Sequence, residues 1–199
     1  MTNLNGELKI INVGVNKQQP AYVAYSKTGV NLYMANSASS VRFLPLTQEA
    51  NDAYTTPGII GGSAGDGSCT VGGTCNGDRD GFSTYAKFDT IAGITISYEG
   101  TADKYVFVHD IGNNKIKRID VTTLLVETFD SNFANNLDND GLPSGGIVVD
   151  TVNNFLFAAQ IGGIWRYDLS LGTLALQVAS KTAYIGAHAL AMAPVSTSE

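Results

Sequence analysis

Two loops of this chain space oxygen side chains as a cation-binding turn does. "NGDRDG" (Asn76, Asp78, Asp80, Gly81) and "NLDNDG" (Asn136, Asp138, Asp140, Gly141) both read N-x-D-x-D-G. Oxygens at alternate positions, closed by a turn glycine, can wrap Ca²⁺ as the first half of an EF-hand loop does. Where that loop carries its bidentate Glu, this chain has Lys87 and Ile147, so the ion would be short of ligands. The competing reading is that Asn and Asp bond their own backbone in Asx turns while Gly takes a positive φ. Calcium is the one cofactor the pattern admits.

Other reactive side chains are few. Cys69 and Cys75, in "GDGSCTVGGTCNGD", are separated by small or turn-forming residues, so their sulfurs could meet without strain. The pair lacks the further ligands of a zinc site. A disulfide stapling a glycine-rich loop is the expected state, and it points to an oxidising, extracellular setting. The histidines are His109 and His188. No G-x-S-x-G elbow, P-loop or H-E-x-x-H motif occurs, and no catalytic constellation is found.

"HDIGNNKIKRID", from His109 to Asp120, sets a histidine beside an acid and then a run of cations. Its pattern is also that of a corner between two strands. His109 and Asp110 would end one strand, Gly112, Asn113 and Asn114 would turn because Gly and Asn tolerate positive φ, and the next strand would follow. Ile116 and Ile119 break simple alternation, which suggests a bulge near Arg118, with the cations facing solvent.

The elements that must position these groups are strands. The 199 residues are 44% hydrophobic and 15% charged, with 22 glycines and five prolines, a globular composition that favours tight turns over long helices. A net charge of -6 and a pI near 4.8 argue against a nucleic-acid surface. No apolar run reaches the length of a membrane helix, and "MTNLNGELKI" does not read as a signal peptide. Short alternating or β-rich stretches recur, from "LKIINVGV", "AYVAYS" and "NLYMANS" onwards, and helical windows such as "LTQEANDAY" are poorly periodic.

The strands recur as a set. "PAYVAYSKTGVNLYMANSASSVRFLPL" from Pro20, "AGITISYEGTADKYVFVHDIGNNKIKRIDV" from Ala92 and "PSGGIVVDTVNNFLFAAQIGGIWRYDL" from Pro143 line up, each with a second strand ending in a polar residue (Asn36, Asp110, Gln160). Weaker fourth strands follow at Leu124 and Leu174, and "GIIGG" at Gly58 is a poorer match. Four-stranded units at such a period mark a β-propeller, in which stacked neighbours supply the core.

The middle unit resembles an NHL repeat. Asp80-Gly81, Phe88, Gly93-Ile94, Val106-Phe107-Val108, Asp110, Gly112-Asn113-Asn114 and Ile116-Lys117-Arg118-Ile119 fill the places of that repeat's D-G segment, aromatic, strands and G-N-N-R-I-R turn. The third unit matches moderately and the first loosely. The resemblance implies an all-β fold, a β-propeller of NHL-type blades with four antiparallel strands each, and no single activity. The expected units are 16–62, 77–130, 137–181 and the start of another at 184–195, in one domain over 1–199, with the glycine-rich loop at 62–80. Three units fall short of the about 4–8 blades of a ring. The expectation is an incomplete ring: a fragment of a longer polypeptide, or a partial propeller completed by another copy or chain.

Some NHL-type propellers are lyases holding zinc on histidines, but a site built from His109 and His188 would need a carboxylate as third ligand. Tyr22, Tyr25, Trp165 and Tyr167 are the aromatics that could anchor a protein or glycan partner; the alternative is packing between blades. Trp165 and Tyr167 share a strand face, so its direction decides both. The expected function is a non-catalytic module for protein or glycan contacts, with a metal-dependent lyase or hydrolase as the alternative.

Overall fold

A computed structural model describes residues 21–26, 31–36, 39–45, 58–62, 76–131, 146–160, 163–171 and 173–180, without the side chains of Gln160 and 173–180. The Asn136–Asp140 loop, both cysteines, His188, "LKIINVGV" and "GAHALAMAPV" lie outside the described residues.

Three antiparallel sheets account for the described chain. The first is β1 (Tyr22–Tyr25), β2 (Asn31–Ala35), β3 (Ser40–Pro45) and β4 (Gly58–Gly62), paired in that order. The middle sheet has five strands: β5 (Gly81–Phe82), β6 (Ile91–Glu99), β7 (Ala102–Asp110), β8 (Lys115–Asp120) and β9 (Leu125–Asp130), in the order β5-β9-β8-β7-β6. The third is β10 (Ile147–Asp150), β11 (Phe155–Gln160), β12 (Gly163–Asp168) and β13 (Thr173–Ser180), again in chain order. The only helical residues described are two 3-10 turns, Ser83–Tyr85 and Ile111–Asn113.

Aspartates shape the turns. Asp120 accepts from the N–H groups of Thr122 and Thr123, Asp150 from Val152 and Asn153, and Asp168 from Ser170 and Leu171. These are the Asx bonds that let a strand end without orphaned amides. Leu124 and Asn154 take the left-handed conformation that closes two of these turns.

The sheets pack face to face through two apolar clusters. One joins Tyr33, Ala35, Val41 and Ile60 of the first sheet to Ile94, Ile96, Val106, Val108, Ile119 and Val126 of the middle sheet. The other joins Phe107 and Ile116 of the middle sheet to Ile147, Val149, Leu156, Ala158 and Tyr167 of the third. The middle sheet is therefore buried on both sides, and successive residues of β7 alternate between the two clusters.

The registers align the sheets residue by residue. Val23 pairs with Met34, Ile94 with Val108 and Ile147 with Ala158; Tyr25 pairs with Leu32, Ile96 with Val106 and Val149 with Leu156. These positions make up one face, which is mostly aliphatic in every sheet. The opposite face carries an aromatic at one register: Tyr33 opposite Phe43, Phe107 opposite Arg118, Phe157 opposite Arg166. Inside the chain, each aromatic face rests on the next sheet's aliphatic face. The backbone N–H of Val149 also donates to Thr95 Oγ1 at 3.1 Å, tying inner strand β10 to inner strand β6.

Candidate functional site

The densest group of charges sits where the chain before β6 crosses the end of the middle sheet. Lys117 is on the aliphatic face of β8, opposite Val108, and is 0% exposed. Its Nζ lies 2.9 Å from Asp78 Oδ1 and 3.3 Å from Asp80 Oδ1, and donates to the Lys87 carbonyl at 3.0 Å. Three protons thus meet three acceptors. Lys115 bonds the other oxygen of Asp78, and Asp80 also accepts from the Thr128 N–H and hydroxyl.

Asp110, at the end of β7, is fully buried 3.9 Å from Lys117. It accepts from the Asp89 N–H at 2.8 Å and the Asn113 amide at 2.8 Å. Burial pushes its carboxyl up to about 7, against the pull of Asn113, Asp89 and Lys117. Burial also raises the Asp78 carboxyl, but the bonds from Lys115 and Lys117 overcome it and hold the group below its ordinary value. Asn113 donates to the Gly77 carbonyl as well, and Asn76 donates to Asp89.

The expectation that the cations of "HDIGNNKIKRID" face solvent is therefore corrected at Lys117. The sheet is covered on both sides, so one of two consecutive cations has to lie under the first sheet's cluster, with its charge matched locally. Arg118, on the other face, stacks over Tyr105 at 4.8 Å and bonds Glu127. Ile116 and Ile119 alternate regularly after all, one to each buried face. The irregularity lies opposite Ile116 and Lys117 but in β9, where Phe129 is the extra residue. Asn114 takes the left-handed turn at φ 52°. Gly112 is required for another reason: a Cβ there would meet the Asp89 carbonyl at 2.3 Å.

Asp78 and Asp80 thus face ammonium, amide and hydroxyl donors, and Asn76 faces the Asp89 carboxylate. Among the described residues, no three metal-binding side chains are grouped to hold an ion. As placed, Asp78 and Asp80 do not fit a calcium ion, since Lys117 stands between them. His109 is buried on the face turned to the third sheet.

A second feature is a cleft of about 680 Å³ between the first and middle sheets, lined by Tyr33, Phe43, Ile59, Ala102, Asp103 and Leu124 among others. Asp103 accepts from Ser26 at 2.8 Å, Asn31 at 2.8 Å and the Tyr33 hydroxyl at 2.9 Å, so one carboxylate binds the first sheet to the middle one. Burial and then that bond push the Tyr33 hydroxyl above its ordinary range. Nothing in the residues around Asp103 marks it, because its partners lie on another unit.

Of the aromatics singled out, Tyr25 is 53% exposed, and Tyr22 packs against the first cluster. Trp165 and Tyr167 turn towards the middle sheet. Trp165 is partly buried against the second cluster, and Tyr167 is 3% exposed with its hydroxyl donating to Asp130 at 2.7 Å. Phe82 and Tyr85 are well exposed, with Arg79 stacked on Tyr85 at 3.8 Å.

Neither a protein-family model nor a curated protein matches the chain. Solved structures do. It is similar to a nidogen/laminin complex, with a TM-score of 0.52 and 13% identity over 80% of this chain and 47% of that one. It is similar to hydrazine synthase of Kuenenia stuttgartiensis, with a TM-score of 0.50 and 13% identity over 86% of this chain and 38% of that one. An auxiliary nutrient binding protein from Bacteroides thetaiotaomicron also aligns, at a TM-score of 0.48 and 18% identity, over 68% of this chain and 33% of that one. The likeness is one of fold. These neighbours are propeller-like, and the chain spans between 33% and 47% of their length. No helix among the described residues is long and apolar enough to cross a membrane.

Proposed function

We propose that the chain is a non-catalytic binding module: a run of NHL-type β-propeller blades whose faces hold another protein chain or a glycan. The observation that carries this reading is the arrangement around Lys117. The densest set of ionisable groups among the described residues is tied to itself and fastens residues 76–89 to the sheet. Among the described residues, large apolar and aromatic side chains also stand exposed: Val23, Tyr25, Phe82, Tyr85, Val152 and Leu171. Surfaces of that kind suit contact more than proton transfer. Three sheets stacked like against unlike, with propeller-like neighbours, support the blade reading. One of those neighbours is a complex of nidogen with laminin. An extracellular setting rests on the spacing of Cys69 and Cys75.

The cleft at Asp103 and Tyr33 is the natural seat for a glycan or peptide end, because its size is that of a ligand site, about 300–1,000 Å³. No cofactor is part of this reading. Elemental analysis of protein purified without chelator tests it, with zinc and calcium expected well below one equivalent. One retained equivalent of zinc would overturn the proposal and favour a metal-dependent lyase or hydrolase.

A further inference from the structure

Arg79 and Lys87 are direct partners in an antiparallel bridge, each one's N–H donating to the other's carbonyl at 3.5 and 2.8 Å. Residues opposite each other in such a pair send their side chains to the same side. Asp78, Asp80 and Phe88 alternate with them and turn the other way, towards Lys117. Two cations therefore stand side by side, an arrangement that is destabilising by itself. Among the described residues, no ion pair includes either of them. The nearby carboxylates are committed elsewhere: Asp78 to Lys115 and Lys117, Asp80 to Lys117 and Thr128, Asp89 to Asn76.

Arg79 is not a loose surface side chain. Its Nε donates to the Tyr85 carbonyl at 2.6 Å, and its guanidinium lies over the Tyr85 ring at 3.8 Å. Gly81 makes room for that ring, since a Cβ there would meet Tyr85 Cδ1 at 2.7 Å. With Nε bonded and the guanidinium plane fixed, the two Nη groups are the donors left over. A guanidinium edge held in this way fits a planar carboxylate, and its ordering is complete before any ligand arrives. Beside it stand Phe82 and Tyr85, 63% and 61% exposed. Arginine, tyrosine and phenylalanine are the residues enriched where proteins meet. A sugar ring would stack on an open aromatic face, and Arg79 already covers that of Tyr85. The chemistry favours a peptide.

We infer that Arg79 and Lys87 form a carboxylate-binding site whose occupant is an acidic peptide. An Asp or Glu side chain of the partner takes the two cations, and its apolar neighbour lies against Phe82. The partner's charge offsets the repulsion that the bridge builds in, and it suits a lone cationic spot on a chain of net charge -6. The inference rests on the binding-module reading and gives it one place and one ligand chemistry.

The probe is a peptide, Gly-Ser-Leu-Glu-Leu-Ser-Gly with both ends blocked, titrated into the isotope-labelled chain and followed by NMR. Saturable shifts are expected at the Arg79 Nε–H signal and at the amides of Phe82 and Lys87. The same peptide with Gln in place of Glu is expected to bind about tenfold more weakly. Arg79→Gln and Lys87→Gln are each expected to weaken the acidic peptide about fivefold, and Arg166→Gln, on the third sheet, to leave it unchanged. Circular dichroism melts check that the variants fold, and Lys87→Gln keeps the Arg79–Tyr85 stack if Arg79→Gln melts early. No saturable shift at millimolar peptide, equal binding of the Gln peptide, or equal loss in Arg166→Gln overturns the inference. So does tighter binding of digalacturonate at the same signals, which would make the site one for an acidic glycan. Metal analysis reads the binding-module proposal separately. A metal-free chain that ignores the peptide removes this site alone, and a zinc-loaded chain that binds the peptide overturns that reading and keeps the site.

Discussion

Replacing Lys117 with Met keeps most of the side-chain volume and removes the ammonium. The three acceptors it serves then fare differently. Asp78 keeps Lys115, and Asp80 keeps the two bonds from Thr128, and both carboxylates are more than a third exposed. The Lys87 carbonyl loses its close partner, and Asp110, with no exposure, loses its nearest positive charge. Removing one member of a fully buried ion pair costs about 3–5 kcal/mol. With two of the three carboxylates partly solvated, the expected loss lies at the low end, about 3 kcal/mol. For a chain of this size that lowers the melting temperature by about 6–12 °C. The assay is thermal denaturation followed by circular dichroism, with hydrogen exchange locating the effect at the amides of Arg79, Lys87 and Asp89. Adding Asp110→Asn removes the stranded carboxylate and is expected to recover part of the loss, a coupling that a double-mutant cycle reads directly. If Lys117→Met melts at or above the wild type, the cluster is not what holds residues 76–89, and the reasoning fails.

Asp110 also sets a pH dependence. Its folded value is raised from 3.8 to about 7, so between those values the folded chain holds a proton that the unfolded chain has released. Stability should fall as pH rises from about 4 to about 7 and then level off. Asp110→Asn should flatten that slope in melts taken across the range. Gly112→Ala should destabilise by about 1–3 kcal/mol, because the new methyl meets the fixed Asp89 carbonyl; chemical denaturation would show it, and an unchanged midpoint would rule out the close approach. Tyr167→Phe removes a donor to Asp130 and should cost about 1 kcal/mol, read as a lower denaturation midpoint.

The strands were legible wherever alternation is strong. Leu156 to Ala158 and Val106 to Asp110 announce themselves by side-chain type, and the polar strand ends at Asp110 and Gln160 fall where the sequence puts them, while β2 stops at Ala35, one residue before Asn36. The glycine-rich β4 reads poorly because its residues are chosen for contact, not propensity. A Cβ at Gly61 would meet Ile119 at 2.8 Å, and one at Gly62 would meet the Ser39 carbonyl. The two-residue strand β5 reads as part of a D-G turn and gains its identity only by pairing with β9. Lys117 was misread because a lone sequence does not say whether a sheet is covered on one side or two. Asp103 was invisible for a related reason, since Ser26, Asn31 and Tyr33 lie 70 or more residues away.

The place of Lys117 in its sheet bears on how such a chain avoids confusing its own parts. The registers put Arg42, Lys117 and Trp165 at the same position of the first, middle and third sheets, opposite Met34, Val108 and Ala158. Arrays of similar units are prone to swap one unit for another while folding. A third sheet that lodged in the middle place would bring an indole to Asp78 and Asp80, and a first sheet would bring a bulkier guanidinium. Only the middle strand carries the compact ammonium that residues 76–89 are shaped around. The buried charge thus sets the middle sheet apart from its two neighbours, because residues 76–89 are shaped around an ammonium at this one position.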